Sequence, residues 1–288
     1  MKKALTLALS LALAVSLAAC GSNGASSAAG SSAAGSAAAS GSTQETVVLK
    51  VAASPTPHAE ILKQCVPILA EEGIDLQVSE YGDYVVPNTA VEEGDEDANY
   101  FQHQPYLDQF NAENGTHLVG IAKIHYEPMG IYAGKCKSLD DLSDGAVIAV
   151  PNDATNEARA LLLLEAQGLI EINPDAGLKA TPNDITSNPK NLQFQELEAA
   201  MLPNTIEEVD LSVINSNYAL QAHLNPAKDA LASEDADSEA AQTYANIIAV
   251  KEGHENDPAI LALVDALESD TIRDYINNTY NGSVVPMT

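Results

Sequence analysis

Four short stretches of this 288-residue chain concentrate side chains suited to gripping a small polar molecule. The first runs from Val147 to Ala160: an apolar strand, a polar loop with Asn152 and Asn156, then a helix start carrying Arg159 in its opening turn. Free N–H groups at a helix start and a guanidinium fork make a good carboxylate receptor, although an Arg on a solvated helix face gives the same pattern. The second is Tyr100-Phe101-Gln102-His103-Gln104-Pro105-Tyr106, in a chain with only 3 Phe and no Trp. Such a cluster either walls a pocket or packs a core around one satisfied histidine. The third, Val213 to Tyr218, is an apolar strand ending in Asn215 and Asn217; the fourth, Tyr244 to Ile248, places Asn246 within an apolar run. An amide offers donors and an acceptor, so these positions suit both an ammonium and a carboxylate. A capping or core amide satisfied by backbone reads the same way.

The elements around these stretches follow an α/β rhythm. VVLKVAA from Val47 to Ala53 predicts a strand, followed by a helix bent at Pro67 and ended by Gly73. Ile74 to Ser79 predicts a second strand, Val85 to Glu93 a helix, Asp97 to Phe101 a short strand and Pro105 to Asn114 a helix. A second unit begins after His125-Tyr126-Glu127-Pro128-Met129-Gly130: a strand over Ala146 to Val150, a helix over Glu157 to Gln167 closed by Gly168, and strands over Leu192 to Leu197 and Leu211 to Asn215. Strands alternating with helices imply parallel pairing and helices on both sheet faces. Near the end, one helix after Asp257-Pro258 carries a stripe of Ile260, Leu261, Val264 and Leu267, and a second from Asp270 carries Ile272, Tyr275 and Ile276; both are expected to pack back on the first unit. Two such units joined by extended segments enclose a cleft.

The start of the chain is an address. Lys2 and Lys3 precede an apolar run from Ala4 to Val15, too short for a convincing membrane span but right for a signal segment, and Leu17-Ala18-Ala19-Cys20 follows. This resembles the lipobox of bacterial lipoproteins, in which Cys20 becomes the lipidated N-terminus. An ordinary secretory signal with an incidental cysteine is the alternative. The Gly/Ser/Ala tract after it offers too little apolar surface to fold and predicts a tether with a reach on the order of 25–30 Å. The expected organisation is a signal peptide over 1–19, lipidated Cys20 and tether over 20–45, one lobe over 46–124 plus 245–288, and a second over 125–244. The formal charge of −28 disfavours nucleic acid and anionic headgroups, so lipid rather than charge would hold the protein at the extracytoplasmic face of the cell membrane. Cys65 sits at helical spacing among Ile61, Leu62, Ile68 and Leu69, as a small buried residue does; a disulfide to the distant Cys136 is disfavoured.

Five ordered segments, DANYFQHQPYL, HYEPMGIY, PNDATNEARALLLLEAQGLI, INSNYAL and YANIIAV, resemble the methionine-binding lipoproteins of the NlpA type, with the likeness covering essentially Val47 to Pro286. The resemblance implies a two-lobe periplasmic-binding-protein-like α/β fold (type II) that closes on one amino acid without altering it and delivers it to an ABC permease with a cytoplasmic ATPase. It implies aromatic walls from Tyr84, Phe101 and Tyr106 with His103 beside them, a carboxylate anchor at Arg159, and backbone-binding amides at Asn217 and Asn246. Tyr81 lies close to Tyr84, and Asn215 competes with Asn217; Asn156 completes the expected set. Ala158 and Ser216 stand where the family commonly has Gly, a change that affects how closely backbone can approach a ligand. On this reading Arg159→Ala abolishes binding and leaves the fold intact.

Other classes are weighed against the same residues. There is no serine nucleophile elbow, no HExxH and no P-loop, so the expectation is a protein that is not an enzyme and uses no cofactor. His58, His103, His117, His125, His223 and His254 are scattered without short ligand spacing, which argues against a metal-binding lipoprotein. An adhesive surface lipoprotein needs no special motif and stays open. Within the binding class, L-methionine, D-methionine, a methionine-containing dipeptide and another small amino acid are not separated by these residues.

Overall fold

The computed structural model describes residues 46–287, so the expected signal peptide, Cys20 and the tether lie outside the described residues. The described chain is built on two large sheets. The first has six strands in the order Val285–Pro286, Leu118–Tyr126, Asn246–Lys251, Ala98–His103, Val47–Ala53, Ile74–Glu80. The second has five, in the order Ala230–Ser233, Gly130–Ala133, Leu211–Ile214, Val147–Pro151, Gln193–Leu197. Each sheet heads one lobe of a two-lobe α/β architecture.

Pairing is mixed rather than parallel throughout. Val47–Ala53 runs parallel to both Ile74–Glu80 and Ala98–His103, as helical crossovers require. The Asn246–Lys251 strand is antiparallel to both of its neighbours, Ala98–His103 and Leu118–Tyr126. It arrives from the other lobe instead of from a crossover helix on its own sheet, which is why the rhythm of helix and strand alone does not fix its direction. That strand is buried on both faces and therefore almost wholly apolar, with Asn246 as its polar first residue.

The first core joins Leu49, Val51, Leu62 and Cys65 to Ile260, Leu263, Ile272 and Ile276, so the two C-terminal helices do pack on the first sheet. The contacting stripe differs from the expected one: Leu263 is buried and Leu261 is exposed, because the helix Pro258–Leu267 turns its Ile260, Leu263 and Leu267 side inward. The second core gathers Ile148, Val150, Leu161, Leu164, Leu211 and Val213.

Two boundary differences matter for function. The helix expected from Glu157 begins at Ala154, because Asp153 adopts an extended backbone and its side chain accepts the N–H of Asn156 at 3.0 Å as the N-cap. Asn156 thus lies inside the first turn rather than in the loop, and Arg159 comes one turn further along. The strand expected to stop at Phe101 runs to His103, whose Nδ1 accepts the N–H of Tyr106 at 3.2 Å and caps the helix Gln104–Asn114. The expected start at Pro105, a proline suited to a helix's first turn, is off by one residue, while the imidazole cap itself is not among the common ones and was not signalled.

Candidate functional site

All nine residues singled out by the sequence, Tyr84, Phe101, His103, Tyr106, Asn156, Arg159, Asn215, Asn217 and Asn246, border one small cavity between the two sheets. Gln102, Glu127 and Ser216 complete its wall. The lobes meet across it through hydrogen bonds from Tyr84 to Asn217 (2.6 Å), His103 to Asn156 (3.2 Å) and Tyr218 to the Gly82 carbonyl (3.3 Å). Tyr81, the alternative to Tyr84, instead donates its hydroxyl to Glu96 at 3.1 Å.

One wall is aromatic. The ring of Tyr84 lies 5.7 Å from that of Phe101 and 5.7 Å from that of Tyr106, with Phe101 and Tyr106 at 6.1 Å in an edge arrangement. The Tyr106 hydroxyl donates to the Tyr84 carbonyl at 3.0 Å, which pins the two elements that present these rings. Burial holds the Tyr84 phenol well above its ordinary value, so it is a neutral donor.

The opposite wall carries the charge. Arg159 is not a free cation: its Nε–H and Nη2–H donate to Glu234 at 2.8 and 2.6 Å, and Nη2 also donates to the Glu127 carbonyl at 2.8 Å. Tyr244 lies under the guanidinium, with the carbon of the fork 4.4 Å from the ring centroid. Burial works against a charge at Arg159, but Glu234, helped by Tyr126 and Tyr244, more than offsets it, and the side chain stays protonated. Burial also works against ionised Glu234, but Arg159, the Tyr126 hydroxyl and the Met129 N–H bring its carboxyl below the usual value. Arg159 Nη1 makes no hydrogen bond to the described residues, and Arg159 borders the cavity.

The amides are sorted by what is already bonded to them. Asn156 is spent within the protein: its Oδ1 accepts from His103 Nε2 and Asn215 Nδ2 (3.2 and 2.8 Å), and its Nδ2 donates to Asp153. It braces the site. Asn215, with its Nδ2 used in that bond, leaves a buried, unpartnered Oδ1 acceptor. Asn217 is the converse, with Oδ1 accepting from Tyr84 and Nδ2 left as an unpartnered donor. Asn246 accepts at Oδ1 from His58 Nε2 at 2.9 Å, leaving its Nδ2 without a partner among the described residues. His103 caps a helix through Nδ1 and donates through Nε2, and burial, then Arg159, push its pKa down to about 3, so the ring is neutral.

Beneath Asn246 lies a group that spacing did not bring together: His58, His125 and Glu127. His125 Nε2 donates to Glu127 Oε1 at 2.7 Å, and Tyr100 donates its hydroxyl to His125 Nδ1. Burial raises the Glu127 carboxyl above its ordinary value, opposed by His58 and Arg159. The sequence signal for Glu127 was present, a carboxylate in an otherwise apolar HYEPMG stretch. None existed for Glu234, which reads as one more acid in ASEDADSEA. The hydroxyl of Ser216 donates to the Pro128 carbonyl, so the extra atom relative to Gly is absorbed by the protein.

The methionine-binding lipoprotein MetQ of Bacillus subtilis is 44% identical over 242 residues, covering 83% of this chain and 87% of that protein. A solved nutrient-binding protein from Burkholderia cenocepacia, bound to methionine, is 44% identical with a TM-score of 0.78, over 83% of this chain and 100% of that one. An ABC transporter periplasmic substrate-binding protein from Coxiella burnetii is 40% identical with a TM-score of 0.78, over 83% and 99% of the two chains. With residues 49–288 matching the profile of the NlpA lipoproteins, this chain belongs to the NlpA lipoprotein family.

Proposed function

We propose that the chain captures methionine in the cavity between its lobes, holds it unaltered, and delivers it to an ABC permease driven by a cytoplasmic ATPase. The observation that carries this reading is the sorting of unused hydrogen-bonding capacity. Three donors, Arg159 Nη1, Asn217 Nδ2 and Asn246 Nδ2, suit a carboxylate, while Asn215 Oδ1 and the Glu127 carboxylate suit an ammonium. A zwitterionic amino acid supplies both. Its side chain then meets Tyr84, Phe101 and Tyr106, where a thioether gains about 0.3–1.5 kcal/mol from each good sulfur–ring contact. The binding of close relatives to methionine supports the same choice.

Capture couples to closure in this scheme. The ligand carboxylate bonds groups on both lobes, so the closed form is favoured by as much as the ligand discriminates between the two forms. A lipid on Cys20 and the tether after it keep the body within reach of the importer at the extracytoplasmic face, raising its effective concentration there. Calorimetric titration of the full chain, unfolded to strip ligand and refolded, with L-methionine, D-methionine, a glycyl-methionine dipeptide and alanine tests the reading. Saturable binding of a methionine species and none of alanine is expected. Heat for none of the methionine species would sink it.

A further inference from the structure

His58 does not line the cavity, but it bonds Asn246, which does. The ring is buried, and burial chiefly pushes its pKa down to about 4, so at neutral pH it carries a single N–H. Its two nitrogens see different surroundings. Nε2 faces two acceptors, Asn246 Oδ1 at 2.9 Å and Glu127 Oε1 at 3.3 Å. Nδ1 is buried with no hydrogen-bond partner among the described residues. A buried N–H without an acceptor costs more than a bare ring nitrogen, so the proton sits on Nε2.

The neighbouring ring locks this choice. Tyr100 donates to His125 Nδ1, so the His125 proton is on Nε2 and goes to Glu127 Oε1. Glu127 Oε1 is thereby an acceptor toward both rings, and nothing in the cluster donates toward His58 Nε2. The three ligating atoms lie within 4.8 Å of one another, a spacing that would also admit a metal ion. Metal on both Nε2 atoms would, however, drive the His58 proton onto Nδ1, where no acceptor stands.

We propose that His58 is a positioning residue: by donating from Nε2 to Asn246 Oδ1 it holds that amide in one orientation, so Asn246 meets the ligand only as a donor and selects for an acceptor group there. The inference rests on the zwitterion reading above, and deepens it, because an amide free to turn over would accept as readily as it donates. With His58 in place, a carboxylate oxygen is matched, and a donor brought to the same point meets N–H against N–H.

The test pairs binding with ring spectroscopy on the full chain. His58→Leu removes the donor at similar volume, and His58→Gln keeps an N–H. His58→Leu should weaken L-methionine about tenfold, the loss that corresponds to about 1.4 kcal/mol, while L-methioninol, with a hydroxyl in place of the carboxylate, should change less than about twofold. His58→Gln should stay within about threefold of wild type for both. Histidine 15N spectra of wild type should show the His58 proton on Nε2. The proposal is overturned if His58→Leu leaves both affinities unchanged or lowers both equally, or if the spectra place the proton on Nδ1. Should His58→Leu not fold, the wild-type spectra decide. Should wild type bind neither compound, the methionine reading falls, while the ring spectra still decide the orientation of Asn246.

Discussion

Arg159 and Glu234, 75 residues apart, are joined by two parallel hydrogen bonds, Nε to Oε1 at 2.8 Å and Nη2 to Oε2 at 2.6 Å. Their side chains are only 4% and 8% exposed. A bidentate pair of this kind holds the fork in one plane and leaves Nη1 as its free edge. The pair therefore alters the expectation that Arg159→Ala spares the fold. Removing the guanidinium strands a buried carboxylate, which costs about 3–5 kcal/mol when its partner is lost. Arg159→Ala should lower the unfolding midpoint markedly as well as abolish methionine binding. The double variant Arg159→Met with Glu234→Gln should recover most of the stability without recovering binding, read by denaturant unfolding and calorimetry.

Tyr84→Phe isolates the bond between Tyr84 and Asn217 that crosses the cavity. The ring wall survives, but Asn217 Oδ1 loses the hydroxyl that fixes its amide. Because Asn217 Nδ2 is one of the three free donors, a turned-over amide would place an acceptor against the ligand carboxylate. The expected result is about five- to tenfold weaker methionine binding, a loss in the range of one hydrogen bond. Unfolding stability should fall by about 1–3 kcal/mol, the cost of leaving the buried Asn217 Oδ1 without a donor. Unchanged affinity in calorimetry would show that Asn217 does not need this brace.

How much of this was legible in the chain depends on whether a signal is local. The first three strands, the longer helices and eight of the cavity residues were readable because apolar period, caps and short polar interruptions are written in consecutive residues; Tyr84 came only from the family resemblance, and the strands Leu118–Tyr126 and Gly130–Ala133 were not anticipated. Asn246 even announced its need for a partner as a lone amide in an apolar strand. The partner was not readable: His58 is 188 positions away and the bond exists only once the strand Asn246–Lys251 enters the first sheet. Glu234 was hidden for the opposite reason. In an acid-rich run every carboxylate looks solvated, and only the folded chain shows which one reaches Arg159.

Glu157 gives the pH behaviour a definite sign. Burial, then the nearby carboxylates Glu196 and Asp153, push its pKa up to about 7 from an ordinary 4.5. The folded chain therefore holds a proton that the unfolded chain has already released over that interval. Its contribution to stability is complete below pH 4.5 and is lost as pH rises through about 7. Glu157→Gln makes the neutral form permanent. Its unfolding midpoint should match wild type near pH 4 and exceed it at pH 8, and a difference that shrinks with rising pH would contradict the assignment.

Thiol titration reads the interior and the start of the chain together. Cys65 is fully buried, its thiol donating toward the Ile61 carbonyl, and burial pushes its pKa up to about 12. Cys136 is half-buried, and both are free rather than bridged. Since the thiolate is the reactive form, Cys136 should react with an aromatic disulfide reagent in the native protein while Cys65 stays silent until unfolding. The chain has 3 cysteines in all, and a thioether at Cys20 would remove one from the count. Denatured processed protein should thus titrate Cys65 and Cys136 alone, whereas a Cys20→Ala variant should give the same count with no lipid attached. A further thiol in the processed protein would mean that Cys20 is not modified and that the tether ends without an anchor.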